Sequence, residues 1–156
     1  MLLYPATLYP TFLLVKSFGL PPGLWGRLRE ACCVSFIAQM MYIPFDNLGP
    51  MLHWWIWDTG SASLQPFWYS VPATSYLWMM TLSFSFCFVA RWLLWEKIQR
   101  SALGWVGITV AVGLLTNVGS VSLQTPVTIL GQSFGLHFVA GTLIVLLMLF
   151  NALVYW

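Results

Sequence analysis

Between residues 45 and 60 the chain interleaves Asp46, His53 and Asp58 with Trp54, Trp55 and Trp57, and a second aromatic group, Phe67, Trp68 and Tyr69, follows. A carboxylic acid partly removed from water can hold a proton near neutrality. Indole faces attract cationic carbon or ammonium groups. An aromatic cup rimmed by acids is therefore what proton-driven hydration or cyclisation of a long isoprenoid would use. On that reading Asp46, His53 and Asp58 are the catalytic candidates. Asp46 is the acid, because it stands nearer the end of an apolar stretch, and His53 is its proton partner. Trp54, Trp55, Trp57, Trp68 and Tyr69 would line the ligand pocket. A plainer reading fits the same residues. Trp and Tyr collect at membrane interfaces, so the rings could form an anchor belt, and Asp46 and Asp58 could cap helices.

Locally, Asn47–Leu48–Gly49–Pro50 reads as a helix break followed by a restart. The spacing predicts a short helix over 50–57, with His53 and Trp57 on one face. A metal site would need His53, Asp58 and the remote His137 to be gathered by the fold. No HxxxH or CxxC spacing supports one, so neither a metal nor a cofactor is expected. No phosphate loop, nucleophile elbow or serine triad is present either.

The elements that must position these residues are apolar. Hydrophobic residues make up 60 % of the 156 and charged ones 6 %, against about 25 % charged in soluble domains. Lipid is the expected solvent, and the reading is an all-α polytopic bundle: one integral membrane domain, 1–156, in an unidentified membrane. Spans are expected near 2–15, 28–45, 72–94, 103–123 and 136–156. The first is short and carries Pro5 and Pro10, so it could lie in the interface instead. Val15 is followed by no small-residue cleavage site, so a signal peptide is not expected. The last apolar run reaches Trp156, which fits a fragment or a span ending at the interface.

All six basic residues fall in two clusters, Lys16, Arg27 and Arg29, then Arg91, Lys97 and Arg100. Basic residues stay on the cytoplasmic side. Five spans with the N-terminus outside put both clusters there, and leave the Trp-rich loop 45–71 and the segment 120–135 outside. A net charge of +2 with no basic face excludes nucleic acid. Cys32, Cys33 and Cys87 form no disulfide framework. They read as small buried hydrophobes, or for Cys32 and Cys33 as palmitoylation sites. Gly104, Gly107 and Ala111, and again Gly131 and Gly135, have the spacing of close helix contacts. Thr81, Ser83, Ser85 and Cys87 look like packing and interhelical hydrogen bonds. Asn117 and Asn151 are the strongly polar residues deep in the last two spans.

Asp46, Leu48–Gly49, Trp54–Trp55–Ile56–Trp57–Asp58–Thr59 and Val71–Pro72–Ala73–Thr74–Ser75 resemble an uncharacterised eukaryotic multi-pass membrane family. That family carries an aspartate, a Leu-Gly pair, a Trp-Trp-x-Trp-His-Asp-Thr-Asp block and a Val-Pro-x-x-Ser helix start. The likeness covers roughly residues 31–95. No His stands here between Trp57 and Asp58, and Gly60 replaces the second acid. More distantly the layout is similar to the carotenoid-biosynthesis membrane hydratases and cyclases, with their Asp, Leu-Gly, Trp-x-Trp and Gly-Val-Pro pattern. That resemblance implies cofactor-free, non-redox chemistry on a lipophilic polyene.

Three functions follow. The first is a non-catalytic scaffold, assembly or lipid-contacting component, partnered by membrane lipids and by copies of itself or a larger membrane assembly. The second is a membrane enzyme acting on an isoprenoid ligand. The third is a small transporter acting as an oligomer, weakened by the absence of carboxylates from every span core.

Overall fold

The structure, a computed structural model, describes residues 3–20, 23–61, 64, 67–68, 70–94 and 101–153. Five helices and one short hairpin make up these residues: α1 Leu3–Lys16, α2 Leu24–Met51, β1 Phe67–Trp68, β2 Val71–Pro72, α3 Ala73–Leu94, α4 Ala102–Gln132 and α5 His137–Leu153. Two of the helices, α3 and α4, are long and apolar enough to cross a membrane. α2 has the length, at 28 residues, but Arg27, Arg29, Glu30 and Asp46 dilute its apolar character. α1, at 14 residues, is about 21 Å long, short of a bilayer core of about 30 Å.

Consecutive helices run antiparallel, and their side chains show it. Along α2 and α3 the contacts descend as Glu30 with Arg91, Ser35 with the Met80 carbonyl, Gln39 with the Tyr76 carbonyl and Asp46 with Ser75. α1 lies back along α2: Val15 packs with Ala31, Cys33 and Val34, and Leu8 with Ala38 and Tyr42. α3 and α4 meet through Thr81 and Ser120, whose hydroxyls are 3.1 Å apart, with Gln124 Nε2 donating to both. In an apolar setting such bonds fasten helices because the freed polar groups would have no other partner. The largest core cluster joins Val71, Tyr76, Leu77 and Met80 to Val127, Ala140 and Ile144. It therefore binds α3, α4 and α5 just beneath the hairpin.

Three local expectations change. No break occurs at Asn47–Leu48–Gly49–Pro50: α2 passes through Pro44 and Pro50 and ends at Met51. α4 is a helix well past residue 123, through Pro126 to Gln132. Much of 120–135 is thus helix rather than loop, because its polar residues are satisfied within the bundle. Ser120 and Gln124 bond across to Thr81 of α3, while Ser122 and Thr125 return to the carbonyls of Val118 and Val121. The close α3–α4 approach lies at Gly119, where a Cβ would stand 3.0 Å from Ser85 Oγ, whereas Gly107 has open space beside it. Gly135 is in the turn before α5, with φ of 63°.

Candidate functional site

The Trp-rich segment caps the end of the bundle opposite the Glu30–Arg91 pair. Its geometry starts at the last turn of α2. The His53 N–H donates to the Pro50 carbonyl at 3.2 Å and the Trp54 N–H to the Gly49 carbonyl at 2.9 Å. His53 itself is left-handed, with φ of 57°. This paired arrangement is a Schellman terminator, with histidine where glycine is usual. The chain beyond is extended, not helical, so the expected 50–57 helix and its His53–Trp57 face are absent. Side chains alternate instead: Trp54 and Ile56 are exposed, while Trp55 and Trp57 turn in and are half-buried. This two-residue period is what an extended backbone imposes.

Trp55 packs on the α2 terminus at Gly49, where any Cβ would collide with the indole ring. The Trp55 and Trp57 rings meet edge-on at 6.3 Å, and Trp54 is tilted against Trp55 at 6.3 Å. Among the described residues the Trp55 and Trp57 indole N–H groups find no acceptor. Asp58 closes a turn, its Oδ1 accepting from the Gly60 N–H at 3.0 Å. Its carboxylate is committed to the local backbone, as Asp commonly is in turns. Trp68 is half-buried and packs against the core, its ring 5.4 Å from that of Tyr76. Tyr69 falls outside the described residues.

Asp46 is 1 % exposed, between α2 and α3. The Ser75 hydroxyl donates to Oδ2 at 2.5 Å, and Tyr42, one helical turn back, donates as well. Oδ1 has no partner among the described residues. The group stands just past residue 45, where the second apolar stretch ends. Burial lifts its carboxyl above the ordinary carboxylate range, and the Ser75 and Tyr42 hydroxyls oppose that lift only in part.

Two cavities flank these groups. One, of about 670 Å³, is lined by His53, Trp55, Trp57, Thr59 and Phe67 among others. The second, of about 400 Å³, is lined by Tyr42, Trp57, Thr74, Ser75, Trp78 and Gln124 with Leu64 and Pro72. Trp57 borders both. His53 opens on the first, and the hydroxyls that hold Asp46 open on the second, so among the described residues these two cavities keep the expected acid and its proton partner apart. Tyr42, Trp78 and Gln124 are additions that the sequence does not single out, and Thr74 and Ser75 enter there only as part of the Val-Pro-x-x-Ser helix start. Tyr42 was within reach, being four residues before Asp46 on one helix. Ser75 and Gln124 meet the site only through the fold. No group of three or more His, Cys, Asp or Glu that could hold a metal gathers among the described residues.

The chemistry on offer is thus a largely apolar cavity under two indole rings, with the Tyr42, Thr74 and Ser75 hydroxyls in its wall and a buried carboxyl behind them. No curated protein and no solved structure matches the chain. Its match is to a family described only as a domain of unknown function, DUF7802, over residues 1–156, and the chain belongs to that family.

Proposed function

We propose that this chain is a multi-pass membrane protein in which α2 to α5 cross and the short α1 runs back along α2 from the cytoplasmic side, and whose Trp-rich non-cytoplasmic cap holds the polar head of a membrane lipid without transforming it. The two apolar helices α3 and α4 support the membrane setting. The up-and-down helix order and the contact of Arg91 with Glu30 support the threading, since they bring Arg91 to the end that carries Arg27 and Arg29. The observation that carries the non-catalytic reading is the separation of Asp46 from His53. Asp46 fastens α2 to α3, His53 terminates α2, and among the described residues His53 lines one cavity while the hydroxyls that hold Asp46 line the other. The cavity of about 400 Å³ suits a lipid head: the hydroxyls of Thr74 and Ser75 and the Gln124 amide serve ester or hydroxyl oxygens, and the Trp57 and Trp78 rings cover the glycerol and first methylenes.

Native mass spectrometry after extraction in a lipid-retaining polymer tests this reading. A bound polar lipid is expected in the wild type, and its loss in Thr74→Trp, which fills the cavity. A chain that carries no lipid, or an unchanged lipid in the filled variant, overturns it.

One observation favours the enzyme reading. Asp46 Oδ1 is buried without a partner directly behind hydroxyls that line a Trp-walled cavity, and the likeness to carotenoid hydratases and cyclases points to the same carboxyl. A polyene altered by the wild type and left unaltered by Asp46→Asn would establish it.

A further inference from the structure

α4 packs against α3 and α5 on one side and is exposed over much of the rest of its surface. In its apolar stretch 22 % is buried inside the protein, against 61 % for α3. The side turned away from α3 repeats every seven residues: Leu103, Val110 and Asn117, with Val106 and Gly113 three residues on from the first two. All five are exposed, Leu103 at 82 %. A seven-residue repeat of this kind is the seam of a helix pair.

Asn117 is out of place on a lipid-facing surface. It sits midway along the 31 residues of α4, about 22 Å from either end, and so near the middle of the bilayer. Its Nδ2 donates to the Gly113 carbonyl at 2.8 Å, and no other partner for the carboxamide stands among the described residues. Hydrocarbon offers none for the carboxamide oxygen or the second N–H. A carboxamide is both donor and acceptor, so the group that best satisfies it is another carboxamide in reversed orientation. Gly113 contributes independently. A Cβ there would meet nothing within 4 Å, so the missing side chain serves no contact within the protomer, yet it lets a second backbone come close.

We propose that this side of α4 is the interface of a parallel homodimer, in which the two Asn117 carboxamides hydrogen-bond to each other. Copies with one threading, related by an axis along the membrane normal, necessarily place their α4 helices parallel. Position 117 then faces position 117, as a single buried Asn does when it sets the register of a two-stranded coil. Annular lipid leaves the amide unsatisfied, and an unrelated helix has no reason to present an amide at that depth.

The inference rests on α4 lying in the bilayer, and carbonate extraction of membranes tests that separately. Dimerisation is read by counting photobleaching steps of the labelled full chain in liposomes over a range of lipid dilutions. The wild type is expected to be dimeric. Asn117→Val should weaken the dimer roughly three- to twentyfold. Gly113→Leu should leave monomers whose unfolding matches the wild type. As a second measurement, oxidation should cross-link Val110→Cys between copies in native membranes and leave Leu115→Cys, on another side of the helix, uncross-linked. A monomeric wild type at every dilution overturns the proposal. So do a Gly113→Leu chain that dimerises as the wild type does, and a residue-110 cross-link to a different protein.

Discussion

Trp55 lies so close on Gly49 that no other residue fits at that position without displacing the indole. The contact ties Gly49, at the end of α2, to the Trp six residues later. The glycine leaves a flat seat on the last helical turn, and the ring that fills it sets the direction of the whole cap. Gly49→Ala is expected to cost about 1–3 kcal/mol of stability through overpacking. It should also release Trp55 toward solvent. A red shift and increased quenching of tryptophan emission, against unchanged helix content, would record it. An unshifted spectrum would mean the ring has another support.

His53 is held by its backbone. Left-handed residues other than glycine carry a cost of about 1–2 kcal/mol, and glycine forfeits about 0.5–1 kcal/mol in chain entropy. His53→Gly should therefore stabilise the protein by about 0.5–1 kcal/mol, visible as a small rise in the thermal midpoint. Under the proposed function, lipid retention is unchanged. If the imidazole instead serves chemistry, the same variant loses activity while gaining stability, so this one substitution separates the two roles.

Some of this was legible in the sequence, and the failures have definite causes. α3 was readable from end to end because its apolar run is uninterrupted and closes at Arg91. The charge clusters anticipated that Arg91 returns to the level of Arg27 and Arg29, and its bond to Glu30 places it there; Lys97 and Arg100 lie outside the described residues. The Gly49–Pro50 pair misled, because a proline is tolerated in a helix when tertiary packing holds the turn, and the true stop signal was the conformation of His53. Gln124 was missed because the expected span ended at 123, one residue before it, whereas the helix runs on to Gln132. Ser75 stands 29 residues from Asp46, a separation at which no local spacing rule speaks. The Trp54–Trp57 run was read with a helical period, and only an extended backbone sorts it into outward and inward rings.

Asp46 should make stability depend on pH. A carboxyl whose folded-state value is raised binds its proton more tightly folded than unfolded, so stability is greatest when it is protonated. The sign is therefore a loss of stability as pH rises from near the ordinary value of 3.8 through the raised one. Asp46→Asn keeps the size and an acceptor for Ser75 but cannot ionise, so its stability should be flat across that window and exceed the wild type above it. Thermal unfolding in detergent at a series of pH values decides this. A wild type that gains stability with rising pH would show that the hydroxyl bonds from Ser75 and Tyr42 outweigh burial.

At the other end of the bundle, Glu30 Oε2 accepts from Arg91 Nε at 2.6 Å, with the glutamate side chain 3 % exposed. Such a pair recovers most of what it costs to desolvate, while removing one partner leaves an uncompensated buried charge. Arg91→Met alone should cost about 3–5 kcal/mol. The double variant Glu30→Met with Arg91→Met should recover most of that loss, and a double-mutant cycle on thermal stability measures the coupling. Additive losses would mean that the two charges act independently, which their geometry does not allow.

Under the proposed threading, the level of this pair predicts which labels share a compartment. Cys32, Cys33 and Cys87 are buried, so a single cysteine added to a loop reports its own surroundings. Ser17, in the turn after α1, belongs to the level of Arg27 and Glu30, and Ser61 belongs to the Trp-rich cap; both are described and outside any helix. In sealed cells, Ser61→Cys should react with an impermeant maleimide, and Ser17→Cys only after the membrane is opened. Reversed accessibility would invert the threading but keep the bundle. Equal accessibility from one side would mean that α2 and α3 return without crossing, and the cap would then be no lipid-head site on the far leaflet.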